Sequence, residues 1–293
     1  MILPAPSPTL DALRARIDCV GVIEHSVGSV PDPRSGHCID DAGRALGLAS
    51  RLAADPDAEF VAAVCLRQLE RSVVPGRGLV LRLDADGHPT NDPLSDDGWA
   101  RTLWGLALAS TGPLELRDRA GELLGVLAGL HSMHPRAAAH AMLTGLILLG
   151  DDAGSTLGAR LVEQHAPHLP TGDGQEAWRW PEPRLTYGDA LIVEARLGLA
   201  WWREDDAAML ASLGGERRWA DVVRRPSAWF EGANDLGVPV WDPATGSAYD
   251  ALTTSGVNLN QGAESTLAFI GTRYAAELVA SSSPEAPRRS SRR

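Results

Sequence analysis

Four short polar stretches hold carboxylates, amides, histidines and tryptophans at spacings that could work on a sugar. The first runs from His25 to Arg44 and ends in the adjacent acids Asp40 and Asp41, with His25 and His37 before them and Arg44 behind. The second is Ser95-Asp96-Asp97-Gly98-Trp99-Ala100-Arg101. The third carries Trp178, Trp180, Glu182, Tyr187 and Asp189, and the fourth Asn258, Asn260, Gln261 and Glu264.

Carboxylates gathered at one rim suit chemistry at a glycosidic bond. One acid protonates the leaving oxygen, and a second activates water or attacks the anomeric carbon. On that reading Asp41 and Glu264 form the catalytic pair, with Asp40 in support. The substrate-binding set is His25, His37, Arg44, Asp96, Asp97, Trp178, Trp180, Glu182, Tyr187, Asp189, Asn258, Asn260 and Gln261. No cofactor is called for, and an oligosaccharide or glycoside is the expected ligand.

Two other functions fit the same residues. A carbohydrate-binding accessory domain beside a glycosyltransferase would need only the binding groups. A sugar epimerase or isomerase would need a histidine base, for which His25 is the candidate.

Each stretch also has a structural reading. Asp40 or Asp41 could cap a helix with Arg44 as an i, i+3 or i, i+4 ion pair. Ser95 could cap the next helix, and Thr186 with Asp189 imitates a capping box. Nine tryptophans against three Phe and three Tyr mostly fit packing between helices. Trp178 and Trp180, set among polar residues and prolines, suit a sugar face better.

The elements that must position these stretches read as helices. After Asp41, apolar residues recur at i, i+3, i+4, i+7 through Ala42, Ala45, Leu46, Ala49, Leu52 and Ala53. Further helices fit Glu59–Ser72, Trp99–Ser110, Glu115–His131, Pro135–Leu149, Ser155–His165 and Tyr187–Arg203. Shorter ones fit Ala207–Leu213 and Arg217–Arg224, and a last one Gln261–Val279. The run from Leu79 to Leu83 followed by Asp86-Gly87 predicts one minor β-hairpin. The four polar stretches fall at loop-to-helix junctions spaced like helical hairpins. The expected architecture is therefore all-α: an (α/α) toroid of six helical hairpins over residues 1–280. A disordered basic tail is expected at 281–293. In such a barrel the N-termini of the inner helices converge at one end.

Composition removes several alternatives. A net charge of −11 argues against a nucleic-acid or anionic-membrane partner. All 27 basic residues are arginine, which excludes a Schiff-base lysine and the lysine of a P-loop. Cys19, Cys38 and Cys65 form no metal-binding spacing. His131-x-x-His134 with His140 lacks an evident further ligand, so no metal is expected. No secretory leader or 20-residue apolar run is visible, and a cytoplasmic location is expected.

The chain also resembles a family. Its members carry a Pro-Asp-Arg-Ser-Thr-Gly-Tyr-Cys-Thr-Asp-Asp-Asn-Ala-Arg-Ala-Leu loop, here PDPRSGHCIDDAGRAL at Pro31–Leu46. The segment Ser95–Leu106, the stretch Trp178–Ala190 and Asn-x-Asn-x-Gly-Ala-Glu-Ser-Thr-Leu at Asn258–Leu267 follow in order. The family is similar to (α/α)-barrel carbohydrate-active proteins commonly described as glycosyltransferases, or found beside sugar-transfer and phosphorolysis enzymes. The resemblance implies sugar handling on a helical barrel, possible association with a glycosyltransferase, and a role for the matched acids. The chain departs from the pattern at Ala42, Gly98 and Gly188-Asp189.

Overall fold

The computed structural model describes residues 7–93, 96–170, 189–203 and 224–282. After the short helix α1 (Asp11–Arg14), the chain forms three helical hairpins in succession. They are α2 (Ile39–Arg51) with α3 (Ala58–Ser72), α4 (Asp97–Thr111) with α5 (Arg117–Leu127), and α6 (Pro135–Asp151) with α7 (Thr156–His165). Helix α8 (Asp189–Trp202) follows, then a helical segment at 224–230 and the last helix, α9 (Ala263–Ser282).

Packing sorts these helices into two layers. α2 lies against α4, α4 against α6 and α6 against α8, while α3, α5 and α7 back onto their own partners. α9 returns to α2. The even-numbered helices and α9 therefore form an inner wall with their N-termini at one end, as an (α/α) barrel requires. The helices expected at Ala207–Leu213 and Arg217–Arg224 lie, but for the last residue, outside the described residues.

Small residues set how closely the wall packs. A Cβ on Gly105 would stand 2.1 Å from the Gly43 carbonyl oxygen, and one on Gly43 would stand 2.9 Å from the Arg101 carbonyl oxygen. Only glycine lets these two backbones approach so closely. That contact brings the first turns of α2 and α4 together. Below it the core is aliphatic: Leu46, Leu66, Leu103 and Leu106 are fully buried, and truncating any of them to Ala should cost about 2–5 kcal/mol.

Neither acid of the Asp40–Asp41 pair is a cap. Extended Cys38 occupies the N-cap position of α2 without a side-chain bond, and both acids sit in the first turn, where the helix dipole favours negative charge. At α4 the cap is Asp96, whose side chain accepts from the Asp97 N–H at 2.9 Å; Ser95 lies outside the described residues.

Instead of one hairpin there are, among the described residues, four two-stranded ladders. β1 (Ser26–Val27) pairs with β2 (Val30–Pro31), and β7 (Ala251–Thr253) with β8 (Gly256–Asn258). The 79–83 run is shared between two partners. β5 (Gly78–Leu79) pairs back to β4 (Val73–Val74), while β6 (Arg82–Leu83) pairs with β3 (His37–Cys38). Leu79, Val80 and Leu83 are all buried, so this run lacks the one-sided alternation of a free hairpin. The Asp-Gly turn does form, with Gly87 at φ +85°. The β3–β6 ladder and the Ile39 N–H to Leu81 carbonyl bond of 3.0 Å anchor the start of α2. Among the described residues no helix is long and apolar enough to cross a membrane.

Candidate functional site

A cavity of about 420 Å³ opens where the first turns of α2, α4 and α9 meet. A second chamber of about 310 Å³ adjoins it, sharing Arg44, Asp97 and Glu264 and reaching Arg136 and His140 on α6 and Leu191 on α8. Both volumes suit a small ligand. Three of the four polar stretches thus meet at one place. The third stretch falls mostly outside the described residues, with Trp178, Trp180, Glu182 and Tyr187. Asp189 begins α8, but its side chain also lies outside the description.

Arg44 is the hub of this site. Its Nη2 donates to Asp41 Oδ1 at 2.9 Å and to Asp40 Oδ2 at 3.2 Å, and its Nη1 reaches Glu264 Oε1 at 3.4 Å. Arg101, one turn into α4, donates through Nη1 to both oxygens of Asp40 at 2.9 and 2.7 Å. Its Nη2 meets Asp97 Oδ2 at 2.8 Å. Asp40 therefore ties two guanidiniums together with both its oxygens engaged. That arrangement suits fixing the arginines better than exchanging protons.

Asp41 differs from Asp40. Its side chain is only 4% exposed, and burial pushes its pKa up to about 7; Arg44 opposes that rise, while Asp40, Glu24 and Glu264 add to it. Glu264 stands at the opposite extreme with a side chain 74% exposed. The Arg44 guanidinium fills the gap between these two acids.

His25 lines the cavity edge, its Nε2 3.7 Å from Glu24 Oε1 and its side chain 65% exposed. Asp96 and Asp97 line the α4 side. Four expected binding residues are used elsewhere. His37 is fully buried, with Nε2 3.0 Å from Asp18 Oδ1 and Nδ1 3.2 Å from the Asp84 carbonyl; both ring nitrogens serve the loop beneath β3. Asn260 Oδ1 accepts from the Gly28 N–H at 3.0 Å. Gln261 donates to Asp242 and accepts from Thr245, at 3.0 and 2.9 Å. Asn258 Oδ1 accepts from the Asn260 N–H at 3.1 Å. Gln261 is buried and Asn260 half-buried, and both clamp loops, because a buried amide must satisfy donors and acceptors locally; Asn258 is exposed and makes only its local bond.

Glu24, Arg82 and Asp250 line the cavity and lie outside all the polar stretches. Glu24 and Arg82 pair across the cavity wall, and Asp250 holds the Gly262 N–H at 2.7 Å. Arg101 had a signal, standing four residues after Asp97. His140 had one too: Arg136, His140 and Thr144 form a polar i, i+4, i+8 stripe on an otherwise apolar helix. His131 and His134, by contrast, are exposed outside the site. The cavity also touches Cys38, whose thiol burial pushes up to about 12, with Asp41 and Asp40 adding to the rise, so it stays neutral and is no nucleophile.

No family model matches the chain, and no curated protein does. Solved structures do. A cellobiose 2-epimerase from Bacillus thermoamylovorans superposes with a TM-score of 0.66 at 11% identity, over 94% of this chain and 96% of that one. Its fold is similar to that of sugar epimerases. A sugar epimerase from a ruminal bacterium gives a TM-score of 0.67 at 9% identity, over 93% and 95% of the two chains. The cellobiose 2-epimerase of Spirochaeta thermophila gives 0.62 at 13%, over 94% of each. The barrel expected from the sequence is thus the observed fold. The glycosyltransferase part of the family resemblance finds no support in these neighbours.

Proposed function

We propose that this protein is a sugar epimerase or isomerase that moves a proton at the carbon beside the carbonyl of a reducing sugar. The observation that carries this reading is Asp41: a buried carboxyl with its pKa pushed to about 7, touching a guanidinium that other acids hold in place. A group poised near neutrality can both accept and donate a proton at working pH. Arg44 and Arg101 supply fixed positive charge where an enediolate oxygen would develop, and preorganised charge of this kind is the largest common source of rate enhancement. The structural neighbours are sugar epimerases, which supports the same reading.

Glycosidic cleavage, the first expectation from sequence, is less well supported. It requires the scissile bond to enter between two carboxyls, and the space between Asp41 and Glu264 is taken by Arg44. The substrate is taken to be uncharged. Arg44, Arg82 and Arg101 each already face a carboxylate, so a phosphate or uronate would meet a predominantly acidic wall.

The test is product analysis. Reducing mono- and disaccharides incubated with the protein should yield the C2 epimer or the ketose, and Asp41→Asn should yield neither. Release of a free sugar from a disaccharide, without isomerisation, would instead support the glycosidase reading.

A further inference from the structure

Inversion at a carbon calls for proton-transfer groups on both of its faces, and Asp41 serves one. The adjoining chamber holds a second titratable group, which none of the four polar stretches contains. His140 sits on the inner face of α6, one turn beyond Arg136, with its side chain 15% exposed. Its Nδ1 lies 3.3 Å from the Arg136 carbonyl oxygen and 3.8 Å from Asp97 Oδ1. Both are acceptors, so Nδ1 carries the proton and Nε2 is left with its lone pair. Nε2 takes no hydrogen bond among the described residues, and the ring lines the chamber that Arg44, Arg101 and Glu264 also face.

Asp97 supplies the independent observation. Its Oδ2 is held by Arg101, but its Oδ1 is buried with no hydrogen-bond partner among the described residues. A buried carboxylate oxygen left unsatisfied is costly. The imidazole nearest to it is 3.8 Å away, a gap that a few tenths of an ångström would turn into a hydrogen bond.

We propose that His140 is the second proton-transfer group of the cavity, with Nε2 facing the sugar and Asp97 as the positioning residue behind Nδ1. The inference rests on the epimerase reading. In one direction Nε2 takes the proton from the carbon beside the carbonyl, and the C–H electron pair moves into an enediolate oxygen held by Arg44 and Arg101. The imidazolium charge is shared with Asp97. Asp41 then delivers its own proton to the opposite face, so nothing is oxidised or reduced and the sugar keeps its composition. In the reverse direction the two groups exchange roles. Among the described residues, the charged groups around the ring are Asp97 and Arg101 on α4, Asp40 and Arg44 on α2, Arg136 on α6 and Glu264 on α9. Burial and then Arg101 hold the imidazole neutral, with its pKa near 4, while the backbone bond to Arg136 and Asp40 oppose them.

Solvent exchange in deuterated water separates the two faces. Asp41→Asn should still exchange the C2 proton of one epimer without inverting it, and His140→Gln should do so only for the other epimer. Asp97→Asn should lower kcat by about 10–100-fold at nearly unchanged KM and move the acidic limb of the pH profile downward. Imidazole added to His140→Gly should restore part of the exchange. Inversion by His140→Gln within twofold of wild type would overturn the assignment. If wild type leaves every sugar unchanged, the epimerase reading fails instead, and nitrogen-15 NMR of His140 tests the pair alone. A lower titration midpoint in Asp97→Asn upholds the pairing, and an unchanged one removes it.

Discussion

The two sides of the cavity are built differently. On the α2–α4 side, Asp40, Arg44, Arg101 and Asp97 form a continuous chain of contacts between 2.7 and 3.2 Å. Glycine-mediated backbone contact holds the two helices in register beneath it. On the α9 side, Glu264 meets the same network through one 3.4 Å contact and is otherwise open to solvent. The first is a frame whose charges cannot relax during a reaction. The second is a single adjustable acid. The difference argues that transition-state charge is handled by the α2–α4 wall, while α9 adjusts binding.

Removing the hub should have the largest effect. Arg44→Gln is expected to lower kcat by about 10²–10³-fold, far more than it raises KM, in steady-state assays on whichever sugar is turned over. Gly105→Ala tests the frame without touching a charged group. Its Cβ would collide with the Gly43 carbonyl, so stability should fall by roughly 1–3 kcal/mol in urea titration, with turnover falling in the surviving folded protein.

Asp41→Asn should separate stability from function. The pKa of this group rises from an ordinary 3.8 to about 7 on folding, so the folded state binds the extra proton. Its contribution to stability is therefore fully present below pH 4 and is lost as pH rises through 7. The variant should melt several degrees above wild type at pH 8 and show little gain at pH 4, by calorimetry. The smallest effect belongs to Glu264→Gln. Its exposed contact is worth about 1 kcal/mol or less, so KM should change by less than about fivefold and kcat hardly at all.

The fold was largely legible because apolar residues recur at helical spacing from Ala42 to Val279. The first turns of α2, α4 and α9 could also be anticipated as neighbours from the repeat of junctions. What stayed hidden depends on distance across the barrel. Nothing local distinguishes Asp40, tied to two arginines, from Asp41, buried and near-neutral in pKa, although they are adjacent. Asn260, Gln261 and His37 carry the same polar signature as ligand-binding groups, yet long-range partners at Gly28, Asp242 and Asp18 claim them. In sequence His140 reads only as a possible metal ligand beside His131 and His134; its place in the cavity depends on Asp97, some forty residues earlier.

The central claim is that Asp41 moves a proton to and from the carbon beside a sugar carbonyl, and deuterium incorporation tests it most directly. A reducing sugar incubated with wild type in deuterated water should acquire deuterium at C2 of the epimerised or isomerised product, as read by proton NMR. The same product formed by Asp41→Asn at the wild-type rate would contradict the account, as would a wild-type product carrying no deuterium.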